Sequence, residues 1–225
     1  MTLAIDSVSG YELAQSVETT SVSWKHTCSG SNRLLFVGVS TAGAAGKVSG
    51  VKFNGVAMTN KWDAVASSGN VTGWILVAPD TGEHDIEVTF SSNTIRWSGP
   101  HGFCGISFTG ANQSTPTGDA VTGSSGYSTS VSVTATTASG EIVVDAAKGY
   151  LAAITIGADQ TIRYGTSGTT QYGFSTQPGD SGGAMSWTTA TNQWIAIGAI
   201  SIKPASEAAG LALPIIQNYN NCMRH

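Results

Sequence analysis

Apolar and polar residues alternate with a period of two over short runs, and Gly, Asn, Asp, Ser or Pro bound each run. Alternation of this kind puts successive side chains on opposite faces of a pleated strand, so it predicts β-strands rather than helices. The predicted strands are 20–26, 32–40, 48–53, 61–66, 71–78, 83–90, 102–109 and 128–136. They continue with 140–146, 161–164, 171–175, 182–187 and 193–202. Within Ile86-Glu87-Val88-Thr89-Phe90 the apolar residues share one face, leaving Glu87 and Thr89 for water. The last run is almost wholly apolar (Trp194, Ile195, Ile197, Ile200, Ile202), as in a strand buried on both faces.

Turn chemistry separates the runs. Asn54-Gly55 is a strong hairpin signal, because a type I′ turn needs positive φ at both central residues. Pro79-Asp80-Thr81-Gly82, Ser139-Gly140 and Pro178-Gly179 break the pattern elsewhere. Thirteen short runs joined this way predict an all-β fold. The form expected is an antiparallel β-sandwich of jelly-roll type over residues 1–204. The turn-rich stretch 109–127 reads as a surface link between two halves of that sandwich. Residues 205–225 read as a short C-terminal arm, helical over 205–213 by propensity. Its apolar residues Leu211, Leu213, Ile215 and Ile216 need a surface to bury against, on this chain or on a neighbour.

Composition narrows the function classes. Charged residues are 11% of the 225, the net charge is −4 and the pI is about 5.4; soluble domains carry about 25% charged residues. Ser and Thr number 28 and 27, which makes the polar surface neutral and hydroxyl-rich. A 40% hydrophobic share is enough for a core, so disorder is excluded. No cluster of Lys and Arg provides a nucleic-acid footprint. No apolar run reaches the ~18 residues that span a bilayer, so no membrane partner is expected. The opening MTLAIDSVSG has no basic region followed by an apolar one, so no secretory signal is expected. Cys28, Cys104 and Cys222 lie far apart, form no CxxC pair, and read as plain thiols.

Candidate chemistry is sparse. Gly179-Asp180-Ser181-Gly182-Gly183 reproduces the GDSGG string around the nucleophile of trypsin-like serine proteases. Such chemistry needs a His base and an Asp that orients it; His26, His84 and His101 with Asp85, Asp119 or Asp145 are the candidates. Neither SVSWK before His26 nor RWSGP before His101 resembles the family's Ala-Ala-His-Cys context, and a Gly-Asp-Ser loop is common where Gly and Ser abound. No carboxylate pair or metal-ligand spacing stands out, so no cofactor, metal or catalytic residue is assigned. Asn70-Val71-Thr72 and Asn112-Gln113-Ser114 fit the glycosylation acceptor pattern. Of six Trp, Trp74, Trp187 and Trp194 sit in apolar strands and read as core. Trp62 and Trp97 flank polar loops and are the candidates for an exposed contact, such as a sugar-stacking platform.

The ordered blocks NRLLFVGVST (32–41), VSGVKFNGVAMT (48–59), WILVAPDTGEHDIEVTFS (74–91) and GFCGISFTGANQSTPTG (102–118) resemble a known β-sandwich module. GEIVVDAA (140–147), STQPG (175–179), AMSWT (184–188) and QWIAIGAISIKPA (193–205) extend the likeness. The module is found in phage-encoded virion proteins and in large bacterial surface proteins, and the resemblance covers about residues 20–205. It implies a non-enzymatic structural protein of the virion surface, a capsid cement or decoration protein or a head or tail appendage. Expected partners are the major capsid protein or tail proteins, and a homo-oligomer, by analogy with decoration proteins a trimer. Residues 3–8 and the arm after Pro204 would dock onto neighbours. The alternative is a secreted or cell-surface carbohydrate-binding or adhesive module. The remote alternative is the serine protease.

Overall fold

Every predicted run forms a strand, and the hydrogen-bonded order of the strands reveals a duplication. The computed structural model describes residues 2–14, 19–42, 47–67, 69–91 and 100–206. The first half contains β1 (Ala4–Leu13), β2 (Ser21–Cys28), β3 (Leu34–Ala42), β4 (Val48–Phe53), β5 (Val56–Ala57), β6 (Thr59–Ala66), β7 (Gly69–Val77), β8 (Gly82–Phe90) and β9 (His101–Thr109). The second contains β10 (Val121–Ser124), β11 (Ser128–Thr134), β12 (Ile142–Gly149), β13 (Thr155–Ile156), β14 (Thr161–Tyr164), β15 (Tyr172–Pro178), β16 (Ala184–Gln193) and β17 (Ile195–Ile202).

The first half pairs as β1-β9-β3-β7-β6 and β2-β8-β4-β5; the second pairs as β10-β17-β12-β15-β14 and β11-β16-β13. Read in chain order, the two halves have one topology, and β5 alone has no counterpart in the second. All pairings are antiparallel. Strands alternate between two sheets in the jelly-roll manner. The expected single sandwich over residues 1–204 is therefore two jelly rolls in tandem, joined by residues 110–120; the rest of the expected link contains β10 of the second jelly roll. At the β4–β5 hairpin Asn54 and Gly55 have φ of 47° and 76°, as the turn signal required.

Three apolar clusters show how the four sheets stack. Val37, Phe53, Ile86 and Phe103 lie among the residues between the two sheets of the first jelly roll. Val143, Ile154, Trp187 and Ile197 lie among those between the two sheets of the second. The third cluster joins the jelly rolls, because it combines Phe36, Trp62, Ile106 and Phe108 with Val144, Tyr172, Phe174 and Ile200. The five-stranded sheets are thus apposed in the middle and covered on both faces. β3 and β17 are buried at every residue, as the apolar run 193–202 predicted.

Contact across this central interface is ring on backbone. The Trp62 indole lies over Gly73 of its own sheet and Gly198 of the opposite one, where a Cβ would overlap it. Phe174 covers Gly38, Tyr172 covers Gly102 and Tyr164 covers Gly10 in the same way. Glycine lets these rings sit at backbone distance. Trp62, expected as an exposed contact, is 4% exposed and stacks on Phe36 at 5.5 Å between centroids. It shares its face of β6 with buried Ala64 and Ala66, so strand alternation overrides the polar neighbours Lys61 and Asp63, and a register shift between Asn60 and Trp62 takes Asn60 out of that row. Residues 3–8 pack within the chain on one side: Leu3 is buried and β1 pairs along its length with β9, as the edge strand of its sheet with Val8 exposed. Trp97, Leu211, Leu213, Ile215, Ile216 and Cys222 lie outside the described residues. Cys28 and Cys104 are buried thiols without a bridge.

Gly198→Ala should cost about 1–3 kcal/mol in urea unfolding through overpacking against Trp62. The cost should shrink in a Trp62→Leu background, because the methyl then has room. Equal costs in the two backgrounds would show that the ring and the glycine are not coupled.

Candidate functional site

The protease candidates are placed apart. Ser181 ends a short 3-10 turn, Gly179–Ser181, just before β16 in the outer sheet of the second jelly roll. His26 and His84 face each other on β2 and β8, in the outer sheet of the first. With sheets stacked ~10 Å apart, the two outer layers are separated by roughly 30 Å. His101 begins β9 in a central sheet, where its Nδ1 accepts the Ala42 N–H at 3.1 Å. Asp85 pairs with Lys25 at 2.9 Å, and Asp119 lines a depression with Thr137, Glu141 and Lys203. None of these is a partner of Ser181.

Two of the candidates have other roles. Trp24 Nε1 donates to Ser9 Oγ at 3.0 Å, and the same hydroxyl is hydrogen-bonded to His26 Nδ1 at 2.7 Å. His26 Nε2 is buried and has no hydrogen-bond partner. No carboxylate orients the ring: Asp6 instead accepts from Ser29 N–H at 2.7 Å and from Ser107 Oγ at 3.0 Å. Asp145, on β12, is fully buried and collects donors. Ser175 N–H and Oγ approach at 2.9 and 2.6 Å, and Trp187 Nε1 at 2.7 Å. Burial pushes its carboxyl up to about 7 against the pull of those hydrogen bonds. Among the described residues no group of three or more His, Cys, Asp and Glu could hold a metal.

A concave surface site forms instead at one end of the second jelly roll. Tyr127, Tyr150, Leu151, Ala152, Thr191, Asn192, Gln193 and Trp194 enclose about 420 Å³, within the usual 300–1,000 Å³ of ligand pockets. None of the eight is charged. Tyr127 and Leu151 are 67% and 63% exposed, the two most exposed of the large hydrophobic side chains among the described residues. The Tyr127 and Trp194 rings lie 6.2 Å apart at 56°. Trp194, expected in the core with Trp74 and Trp187, is only half-buried here; the other two are buried.

The frame beneath the pocket is pinned by buried hydrogen bonds. Gln193 is 3% exposed, and its Oε1 accepts the N–H groups of Leu151 and Ala152, both at 2.9 Å. Its Nε2 returns a bond to Ala152 O at 3.0 Å. Tyr150 N–H donates to Trp194 O at 3.0 Å, and Ser125 Oγ donates to Gln193 O at 3.0 Å. Gly126, with φ of 62°, makes the tight turn that presents Tyr127. Register between β11 and β16 jumps from Ser128↔Gln193 to Ser130↔Thr188, so 189–192 form a bulge whose residues Thr191 and Asn192 wall the pocket. The only sequence signs of this site were the Ser-Ser-Gly-Tyr turn at 124–127 and the Thr-Asn-Gln before Trp194.

Burial holds His26 down to about 4 and His101 down to about 3, the latter helped by the charges of Lys148 and Lys47. Between pH 6.5 and 4 the unfolded chain therefore takes up two protons that the folded chain refuses. Over most of that window Asp145 acts oppositely, since the fold keeps a proton that the unfolded chain releases. Two imidazoles against one carboxyl leave a net loss of stability as pH falls from 6.5 to 4. His101→Asn, which keeps an acceptor for Ala42, should make the fall in Tm shallower; an unchanged slope would refute the assignment. The chain matches no protein-family model, no curated protein and no solved structure.

Proposed function

We propose that this protein is a non-enzymatic structural protein of a virion surface, a capsid decoration or cement protein or a head or tail appendage. The observation that carries this reading is the back-to-back fusion of two jelly rolls into one body with a shared apolar interface. Jelly rolls recur in capsid shells and in lectin domains, an analogy of fold that supports the reading. The buried polar side chains are engaged with one another and with backbone: Ser9 with His26, Ser175 with Asp145, Gln193 with Ala152. The order of the sequence blocks supports the virion context, with the major capsid or tail proteins as partners. Peptide mass spectrometry on gradient-purified particles tests it. High copy number in the particles is expected, and absence from them would overturn the virion reading.

A second reading, a carbohydrate-binding or adhesive surface module, is favoured by the pocket around Tyr127 and Trp194. Aromatic rings offer sugars an apolar face at low entropic cost, while Asn192 and the tyrosine hydroxyls at the rim supply polar contacts. A virion appendage can hold such a site, so the two readings are compatible. On a glycan array the protein should retain uncharged sugars. Tyr127→Ala should weaken retention about tenfold, or ~1.4 kcal/mol, with Tm unchanged because the ring is 67% exposed. Equal retention by the variant would rule the pocket out.

A further inference from the structure

Duplication supplies an internal comparison, because the same sheet occurs twice with different chemistry on its outer face. In the first jelly roll the face made by β2, β8 and β4 is a charge ladder. Lys25 stands opposite Asp85, Ser23 opposite Glu87, Lys52 opposite Glu87 and Thr27 opposite Glu83. In the second the equivalent face, made by β11, β16 and β13, contains no charged residue. Its outward rows are Ser130, Thr188 and Thr155, then Ser132 and Ser186, then Thr134 and Ala184. An ordinary solvated face has no need to exclude Lys and Glu completely, and the first jelly roll did not.

This neutral face is continuous with the pocket. β11 starts at Ser128, next to Tyr127, and β16 ends in the 191–193 wall of the pocket. Together they make one surface: an aromatic recess at one end and rows of hydroxyls leading away from it. The seven residues of β11 extend about 20 Å at ~3.3 Å each, long enough for several sugar rings. Hydroxyls both donate and accept, so they match the hydroxyls of a sugar chain in either orientation. A charged ligand would find no counter-ion on β11, β13 or β16.

We infer that the outer face of β11, β16 and β13 is the extended part of a glycan-binding surface, and that its ligand is an uncharged polysaccharide whose end or branch sits in the Tyr127–Trp194 pocket. This inference rests on the carbohydrate reading above and adds the ligand's neutrality, its length and the face on which it lies.

Titration with uncharged hexasaccharides of glucose, mannose, galactose and N-acetylglucosamine, beside their disaccharides and hexagalacturonate, tests it. At least one uncharged hexasaccharide should bind about tenfold tighter than its disaccharide, and hexagalacturonate should bind least. Thr188→Lys and Ser132→Lys, both at exposed positions, should each weaken the hexasaccharide severalfold and leave the disaccharide unchanged. Ser23→Lys, on the matching face of the first jelly roll, should change neither; Tm measurements check that every variant folds. Equal affinity for long and short sugars, insensitive to both lysines, would overturn the extended surface and leave the pocket as a glycan site. Tighter binding of hexagalacturonate would overturn neutrality. No binding of any sugar would overturn the inference and the carbohydrate reading together.

Discussion

The central interface is the constraint from which the rest of the architecture follows. Two five-stranded sheets are pressed face to face, and each is covered again on its other side, so both faces are mainly apolar and polar residues such as His101 and Asp145 are hydrogen-bonded within the protein. Large rings fill the gap, and large rings need backbone to lie against. Gly10, Gly38, Gly73, Gly102 and Gly198 are the places where the sheets yield that space to Tyr164, Phe174, Trp62 and Tyr172. Interiors packed to crystal density tolerate neither an added methyl nor a removed ring. Polar contacts close one end of the same interface: Tyr172 OH donates to Glu12, and buried Lys148 donates to Pro100 O at 2.9 Å. Burial lowers the Lys148 amine to about 7, and that cost is accepted where the two jelly rolls meet.

Strand positions were legible because alternation is a local property of the chain. β8 and β17 appeared in sequence with their faces already assigned, and both faces stand in the structure. The duplication was not legible. Equivalent strands such as LLFVGVSTA in β3 and IVVDAAKG in β12 share a burial pattern and a topological place but almost no residues at matching positions. What repeats is the order of pairing, which no local window contains. Trp62 illustrates a different failure. Its flanking polar residues Lys61 and Asp63 point outward by the same alternation that sends it inward, so the company a residue keeps in sequence says little about the company it keeps in space.

Exposed sites were the hardest to read. The pocket draws on the β10–β11 turn, the loop after β12 and the segment 191–194, brought together only by the jelly-roll connections. GDSGG, by contrast, was conspicuous in sequence and has a local explanation. Gly182 and Gly183 have φ of 86° and 72°, and Gly179 packs where a Cβ would meet Ala138 O. The string has the composition that a tight entry into β16 requires, and it lies layers away from His26 and His84.

The two jelly rolls have diverged in how their cores are held. The fourth residue of β3 is Val37, packed among apolar side chains; the fourth residue of β12 is Asp145. Asp145 sits where the second jelly roll is thin: its outer sheet has three strands and β13 is only two residues long. Gln160 fills the gap by side chain. Its Oε1 accepts Ser186 N–H at 2.8 Å, as a neighbouring strand's carbonyl would, and its Nε2 donates to Ser175 Oγ at 2.8 Å. Asp145 fixes Ser175 and the Trp187 indole in turn. A buried carboxylate with no cation is a poor source of stability, but a network that needs every donor in place specifies one arrangement. The outer sheet that carries the neutral face is therefore positioned by directional bonds rather than by apolar bulk, which suits a surface whose hydroxyls must keep a fixed spacing.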